Sequence, residues 1–365
     1  MSGVPALPAA GADVATCVAL LRAVVGIASP SGAEEPVARE YVRWMTELGL
    51  RAGLDHAGNA IGETGPAGAP TVVLLGHLDT VPGEVPVRWD GSLLYGRGTV
   101  DAKGPLSAMV CAAARVGPDL PVRLVVIGAV DEERESIGAR AVVHAFDPAA
   151  VIVGEPSGAD AVVIGYKGLI RLAVDVIRPA AHSSTVDPKA VEVAADLWQR
   201  IRQWLPVDPD RPWFTQALPT LIRLDGDGVR ARLTLSCRTP VGFDHAGFLR
   251  RVTEAAGADR VTVIESTAAV LRPRTDPVAR ALCAAIRRSG ATPRTKVKLG
   301  TADMNVVAPY WPVPTATYGP GDSSLDHTDA EHIDVNEYLR AIDVLAGALR
   351  DIASDVLNPA QELSR

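Results

Sequence analysis

Cysteine is scarce in this chain. The four residues, Cys17, Cys111, Cys237 and Cys283, lie far apart with no CxxC pair, so neither a disulfide scaffold nor a thiolate zinc knot is expected and the thiols read as reduced and buried. No run of about 18 apolar residues occurs, which excludes a membrane-spanning helix. The opening MSGVPALPAAGADVAT lacks the basic start and continuous apolar stretch of a secretory signal. A soluble, cytoplasmic protein with no membrane partner is expected. A basic surplus is also missing: the net charge is -7 and the pI about 5.6, so nucleic acid is disfavoured as a partner.

At 365 residues and 47% hydrophobic content, the chain has material for one large core and a smaller one. Apolar spacing predicts helices over 14–28 and 34–49, with Ser31 and Glu34 in capping-box register before the second. Apolar runs at 71–75, 122–130 and 150–153, with a helical pattern at 105–116, read as strands of a sheet covered on both faces. From residue 165 the pattern becomes β-α-β-β-α-β, a compact α+β unit inserted into the larger domain. The expected fold is therefore α/β, a mostly parallel sheet covered by helices, with residues 1–165 and 272–365 forming one domain and 166–271 an inserted ferredoxin-like one. A closing helix is expected from about Ala330 to Val356, with Thr328 and Glu331 resembling a capping box and His332 inside the helix.

In open α/β sheets, ligands gather beyond the carboxyl ends of the strands. After 71–75 come His77 and Asp79; after 122–130 come Asp131, Glu132 and Glu133; after 150–153 comes Glu155. YGRGTVDAKG places Asp101 just ahead of a helix, and DSSLDHT carries His327 past a late strand-like segment. So many acids on one rim repel each other unless cations neutralise them. Histidine and carboxylate without cysteine suit Zn²⁺, Co²⁺ or Mn²⁺, and two His, a bridging Asp and two Glu would serve two ions. Neighbours in an extended chain face opposite ways, so one of Glu132 and Glu133 would bind metal while the other works on water. Asp79 can hold the second nitrogen of His77.

The strings GHLDTVP, GRGTVDAKG, VDEERES, GEPSG, AHSS and DHT, in this order along nearly the whole chain, resemble the M20 metallopeptidase family of di-zinc aminoacylases, carboxypeptidases and deacylases. GYKG, KLGTADMN and YGPGDSSLDHTDAEH are most similar to the amino-group carrier protein hydrolases of lysine and arginine biosynthesis. The resemblance implies that His77 and Glu155 hold one metal, Glu133 and His327 the other, and Asp101 bridges them. It makes Asp79 the group that orients His77, Glu132 the general base, and His182, from the inserted domain, a hydrogen-bond donor to the carbonyl oxygen. That inserted domain would act as a lid and a homodimer surface.

Arg238, Thr301 and Asn305 are further substrate-binding candidates, Arg238 for a carboxylate; the plain alternatives are an ion-pair partner and two loop-shaping residues. The acid-free strip 287–300, with Arg287, Arg288, Arg294, Lys296 and Lys298, is either a solvated loop or a docking strip for an acidic carrier protein. The expected reaction is hydrolysis of the amide joining a carrier protein's terminal glutamate to lysine, ornithine or a related amino acid. The rivals are the same chemistry on a small N-acetyl or N-succinyl diamino acid and, further off, a binding module without catalysis.

Overall fold

The computed structural model describes residues 12–357. They divide into two compact units, the first taking in residues up to 164, 272–296 and those from 302 onward, the second residues 165–271 and 297–301. The apolar runs fold as strands Thr71–His77, Arg123–Ala129 and Pro148–Val153, buried almost throughout. Their β-branched side chains suit a pleated surface packed on both faces.

In the first unit the sheet runs in the order Arg51–Leu54, Ala60–Thr64, Arg123–Ala129, Thr71–His77, Pro148–Val153, Thr315–Thr317, Ala161–Tyr166. The four strands from Arg123–Ala129 to Thr315–Thr317 are mutually parallel, and the flanking pairings are antiparallel. Helix Lys103–Val116 lies on the central strand Thr71–His77 and packs against Val14–Val25 and Val335–Leu357, while Pro277–Arg288 packs on Val335–Leu357. Asp276 fastens the last of these to the sheet: one carboxylate oxygen caps Val278 N at 2.9 Å and the other accepts from Thr315 N at 3.1 Å.

Both capping boxes expected from local pattern are absent. Helix Glu35–Glu47 starts without a side-chain cap; Ser31 donates instead to Asp79 Oδ2 at 2.7 Å, and Glu34 Oε1 accepts from Gly32 N and Asp131 N at 2.9 and 3.1 Å. The closing helix begins at Val335 rather than near 330, because His332–Asp334 is a strand paired with Leu93–Tyr95. His332 therefore lies outside the helix.

In the second unit, strands Gly168–Ile177, Leu218–Gly226, Arg230–Thr239 and Arg260–Thr267 form an antiparallel sheet in which the third and first are central. Helices Ala190–Trp204 and His245–Ala256 present Ala190, Ala194, Leu197, Ile201, Phe248 and Val252, at helical spacing, to the alternate residues Ile170, Leu172, Val174 and Val176. Lys167 is fully buried here; its ammonium donates to the carbonyls of Trp213 at 3.0 Å and Phe214 at 3.3 Å and to that of Gln216.

Candidate metal centre

Because the four central strands run parallel, the segments that follow them leave from one edge of the sheet. His77 closes its strand and is buried. Its Nδ1 lies 2.9 Å from the carbonyl oxygen of Asp79, and a carbonyl can only accept, so Nδ1 carries a proton and Nε2, 3.2 Å from Asp101 Oδ1, is the nitrogen that faces the site. The Asp79 carboxylate stands further off, 3.5 Å from Nδ1. Asp79 thus orients His77 mainly through its backbone.

The carboxylate of Asp79 has a second task that the sequence did not disclose. It accepts from Glu132 N at 3.0 Å and Glu133 N at 3.1 Å, as well as from Ser31. Glu132 and Glu133 lie in a turn after Asp131, whose φ is +64°, and not in an extended chain. Their side chains nevertheless go to different places. Glu133 Oε1 is 3.0 Å from His327 Nε2, whereas Glu132 groups with His77 and Glu155. His327 itself sits at φ +63°, a costly conformation for a residue with a side chain.

Asp101 joins the two sets. Its Oδ1 is 3.2 Å from His77 Nε2 and its Oδ2 is 3.0 Å from His327 Nε2; Glu155 Oε1 is 3.6 Å from His77 Nε2. The chain on either side of it needs glycine: Gly98, before it, has φ +83°, and a Cβ on Gly104, after it, would lie 2.2 Å from Thr99 O. Ser157 exchanges hydrogen bonds with Gly319, and Glu337 Oε1 accepts from Ala159 N and Gly321 N, which ties the Glu155 segment to the one leading to His327.

The residues fit divalent metal. Donors held at about 2.0–2.2 Å by a tetrahedral ion stand roughly 3.3–3.6 Å apart, and the imidazole to carboxylate distances here run from 3.0 to 3.6 Å. His77, Glu132 and Glu155 form one group and Asp101, Glu133 and His327 another, the donor atoms of each lying within 4.8 Å of one another. The electrostatics agree. Burial works to lower His77, yet the hydrogen bonds to Asp101 and Asp79 and the charges of Glu132 and Glu155 hold it well above its usual value. Asp101 and Glu133 push His327 up to about 10, and burial, then the charge of Glu155, push Glu132 well above the carboxylate range. Asp303 lies buried in the same unit; burial pushes it up to about 7, and neither of its oxygens is hydrogen-bonded among the described residues.

Over residues 73–351 the chain matches the sequence profile of peptidase family M20/M25/M40. This protein belongs to that family. It is 42% identical to a LysW-lysine hydrolase of Deinococcus radiodurans, over 90% of this chain and 95% of that one. It is 29% identical to a LysW-lysine/LysW-ornithine hydrolase of Saccharolobus solfataricus, over 87% and 90%. Among solved structures it resembles the aminopeptidase PepT of Bacillus cereus, with TM-score 0.79, 18% identity and coverage of 93% and 99%. A dinuclear metal-binding M20 peptidase of Bacillus subtilis follows at TM-score 0.71, 13% identity and coverage of 94% and 99%. As an M20 enzyme the protein is a metal-dependent amide hydrolase.

Of the other expected site residues, Asn305 lies in the first unit, buried, with Oδ1 accepting from Ala302 N at 3.0 Å to close its own turn. His182, Arg238 and Thr301 belong to the second unit. There His182 is exposed, its Nδ1 2.7 Å from Ser184 Oγ, and Arg238 donates to Thr301 Oγ1 at 3.1 Å. In the basic strip, Arg288 pairs with Asp351, Arg294 pairs with Asp160, and Lys296 donates to Ser157 O. Ser31, Glu34, Arg97 and Glu331, which grip the ligand loops, escaped sequence reasoning. The signal available for the last two was position: Arg97 is the arginine of GRG, and Glu331 follows DHT by three residues. Among the described residues no helix is long and apolar enough to cross a membrane.

Proposed function

We propose that the enzyme is a di-zinc amidohydrolase that releases lysine, ornithine or a related amino acid from the terminal glutamate of an amino-group carrier protein, LysW in its relatives. The observation that carries the reaction class is Asp101, whose two oxygens each face a different imidazole. The substrate rests on the likeness to the Deinococcus radiodurans LysW-lysine hydrolase along nearly the full length of both chains. A carrier adduct is expected because that relative's name specifies one.

In this reading His77 and Glu155 hold one ion, Glu133 and His327 the other, and Asp101 spans both. When bound, the two ions would polarise the amide carbonyl and make water more acidic. Glu132 takes a proton from the attacking water; the water oxygen bonds to the carbonyl carbon, the C–N bond breaks, and Glu132 returns the proton to the leaving amine. His182 donates to the carbonyl oxygen as negative charge develops. Arg238, linked to Thr301, receives a substrate carboxylate, and Asn305 shapes its own loop. The active form is a homodimer.

The test is to incubate the metal-loaded protein with carrier bearing lysine or ornithine on its terminal glutamate, and separately with N-acetyl and N-succinyl lysine. Mass measurement should show the amino acid lost from the carrier at a much higher kcat/KM. Efficient cleavage of the small amides with the carrier untouched would replace the substrate, and no cleavage of either would end the proposal.

A further inference from the structure

Asp101 can face both imidazoles only if its backbone is held at one point between them. The residue that holds it is Glu331. This carboxylate has no exposure to solvent. Its Oε1 accepts from Val100 N at 2.9 Å and Asp101 N at 3.2 Å, and its Oε2 accepts from Arg97 Nη1 at 2.9 Å. Its own carbonyl accepts from Gly96 N at 3.3 Å. Arg97 Nη1 donates as well to Thr328 O at 2.9 Å, the residue after His327. One network therefore joins the loop that carries Asp101 to the loop that carries His327. Lys103 supports the other side of the Asp101 loop, donating from its buried ammonium to Ile27 O at 2.6 Å.

The reach of this network is uneven. It bonds the backbone of Asp101 and that of Thr328, the neighbour of His327, and so reaches the loops of two of the three members of the group completed by Glu133. Of the other group's members, His77, Glu132 and Glu155, none is bonded to Glu331 or Arg97 among the described residues. Asp79 and Ser31 steady that side instead. We propose that Glu331 and Arg97 are positioning residues that set the separation of Asp101 from His327, so that their loss weakens the Asp101, Glu133 and His327 site more than the other, which meets Asp101 only through Oδ1. The inference rests on the two-ion reading given above.

Partners of metal ligands commonly change affinity by about 10- to 100-fold when removed. In Glu331→Gln the amide oxygen can still accept from Val100 N and Asp101 N, but its NH2 group meets Arg97 donor to donor. The experiment is titration of the metal-free full chain with Co²⁺, followed by calorimetry and by the visible cobalt spectrum. Wild type should bind two equivalents. Glu331→Gln should bind the first within about threefold of wild type and the second about 10- to 100-fold more weakly, with kcat falling while KM changes little. Arg97→Lys, which keeps the charge but loses the fork that reaches both Glu331 and Thr328 O, should show the same selective loss to a smaller degree, and decides the matter if Glu331→Gln does not fold. Two equivalents bound as tightly as in wild type, or equal weakening at both sites, overturns the role given to Glu331 and leaves the two-ion reading intact. A wild type that binds fewer than two equivalents removes the two-ion reading itself, and this inference with it.

Discussion

Asp79→Asn separates two ways in which this residue serves the centre. If its carboxylate chiefly orients His77, the amide should weaken metal held by His77 and Glu155. The geometry assigns that orientation to the backbone carbonyl at 2.9 Å, which asparagine retains, and gives the carboxylate three other donors: Ser31 Oγ, Glu132 N and Glu133 N at 2.7, 3.0 and 3.1 Å. Asparagine has one acceptor oxygen where aspartate has two, so at least one of these donors faces an NH2 group. Asp79 is fully buried, and a donor stranded there costs about 1–3 kcal/mol. At roughly 1.4 kcal/mol per tenfold, displacement of the Glu132–Glu133 turn should lower kcat by about 5- to 150-fold. The assay pairs steady-state kinetics with site-by-site Co²⁺ affinity. The expected result is a drop in kcat with the His77 and Glu155 site within about tenfold of wild type. Loss of that site's ion with turnover restored at saturating metal would refute the argument.

Glu132→Ala should abolish turnover and leave two equivalents of metal in place; surviving activity would remove the base assignment, a role usually worth about 10²–10⁴ in rate. Metal uptake should release protons. His327 is raised to about 10, so without a cation it holds a proton at pH 7 that it must lose to ligate, and the carboxylates around His77 shift it in the same direction. Affinity should therefore climb as pH rises towards 10, with about one proton or more released per chain at pH 7; calorimetry in buffers of different ionisation enthalpy counts them, and release below about half a proton would contradict the assignment. Lys167→Met removes the ammonium from the carbonyls of Trp213, Phe214 and Gln216, of which Trp213 O keeps Gln216 N as a donor. The second unit should lose about 1–3 kcal/mol, read as a lower urea midpoint by hydrogen exchange at residues 168–177. An unchanged midpoint would show that water replaces the ammonium without penalty.

The candidate ligands His77, Glu133 and Glu155 stand out in the sequence because each closes a buried apolar strand or follows one within a few residues, whereas Asp101 and His327 lie on longer loops and stand out only through their motifs. Parallel pairing of four such strands then brings the ligands together, and that too is readable from uninterrupted apolar runs alternating with helices. What holds the ligands is not legible, and two errors show why. Ser31 with Glu34, and Thr328 with Glu331, carry the four-residue signature of a helix start. In both pairs the glutamate instead accepts from a distant backbone amide, Asp131 N for Glu34 and Val100 N and Asp101 N for Glu331, the last 230 positions away. A helix cap contributes about 1 kcal/mol, whereas each loop amide left buried without an acceptor costs about 1–3 kcal/mol. Glu331 satisfies two such amides and Arg97 together, so the tertiary arrangement outweighs the local one. The same comparison applies to the turn at Glu132 and Glu133. Local geometry expects an extended chain, but an extended chain could not aim two consecutive amides at the single carboxylate of Asp79. The residues that misled local pattern are thus those that the metal loops require.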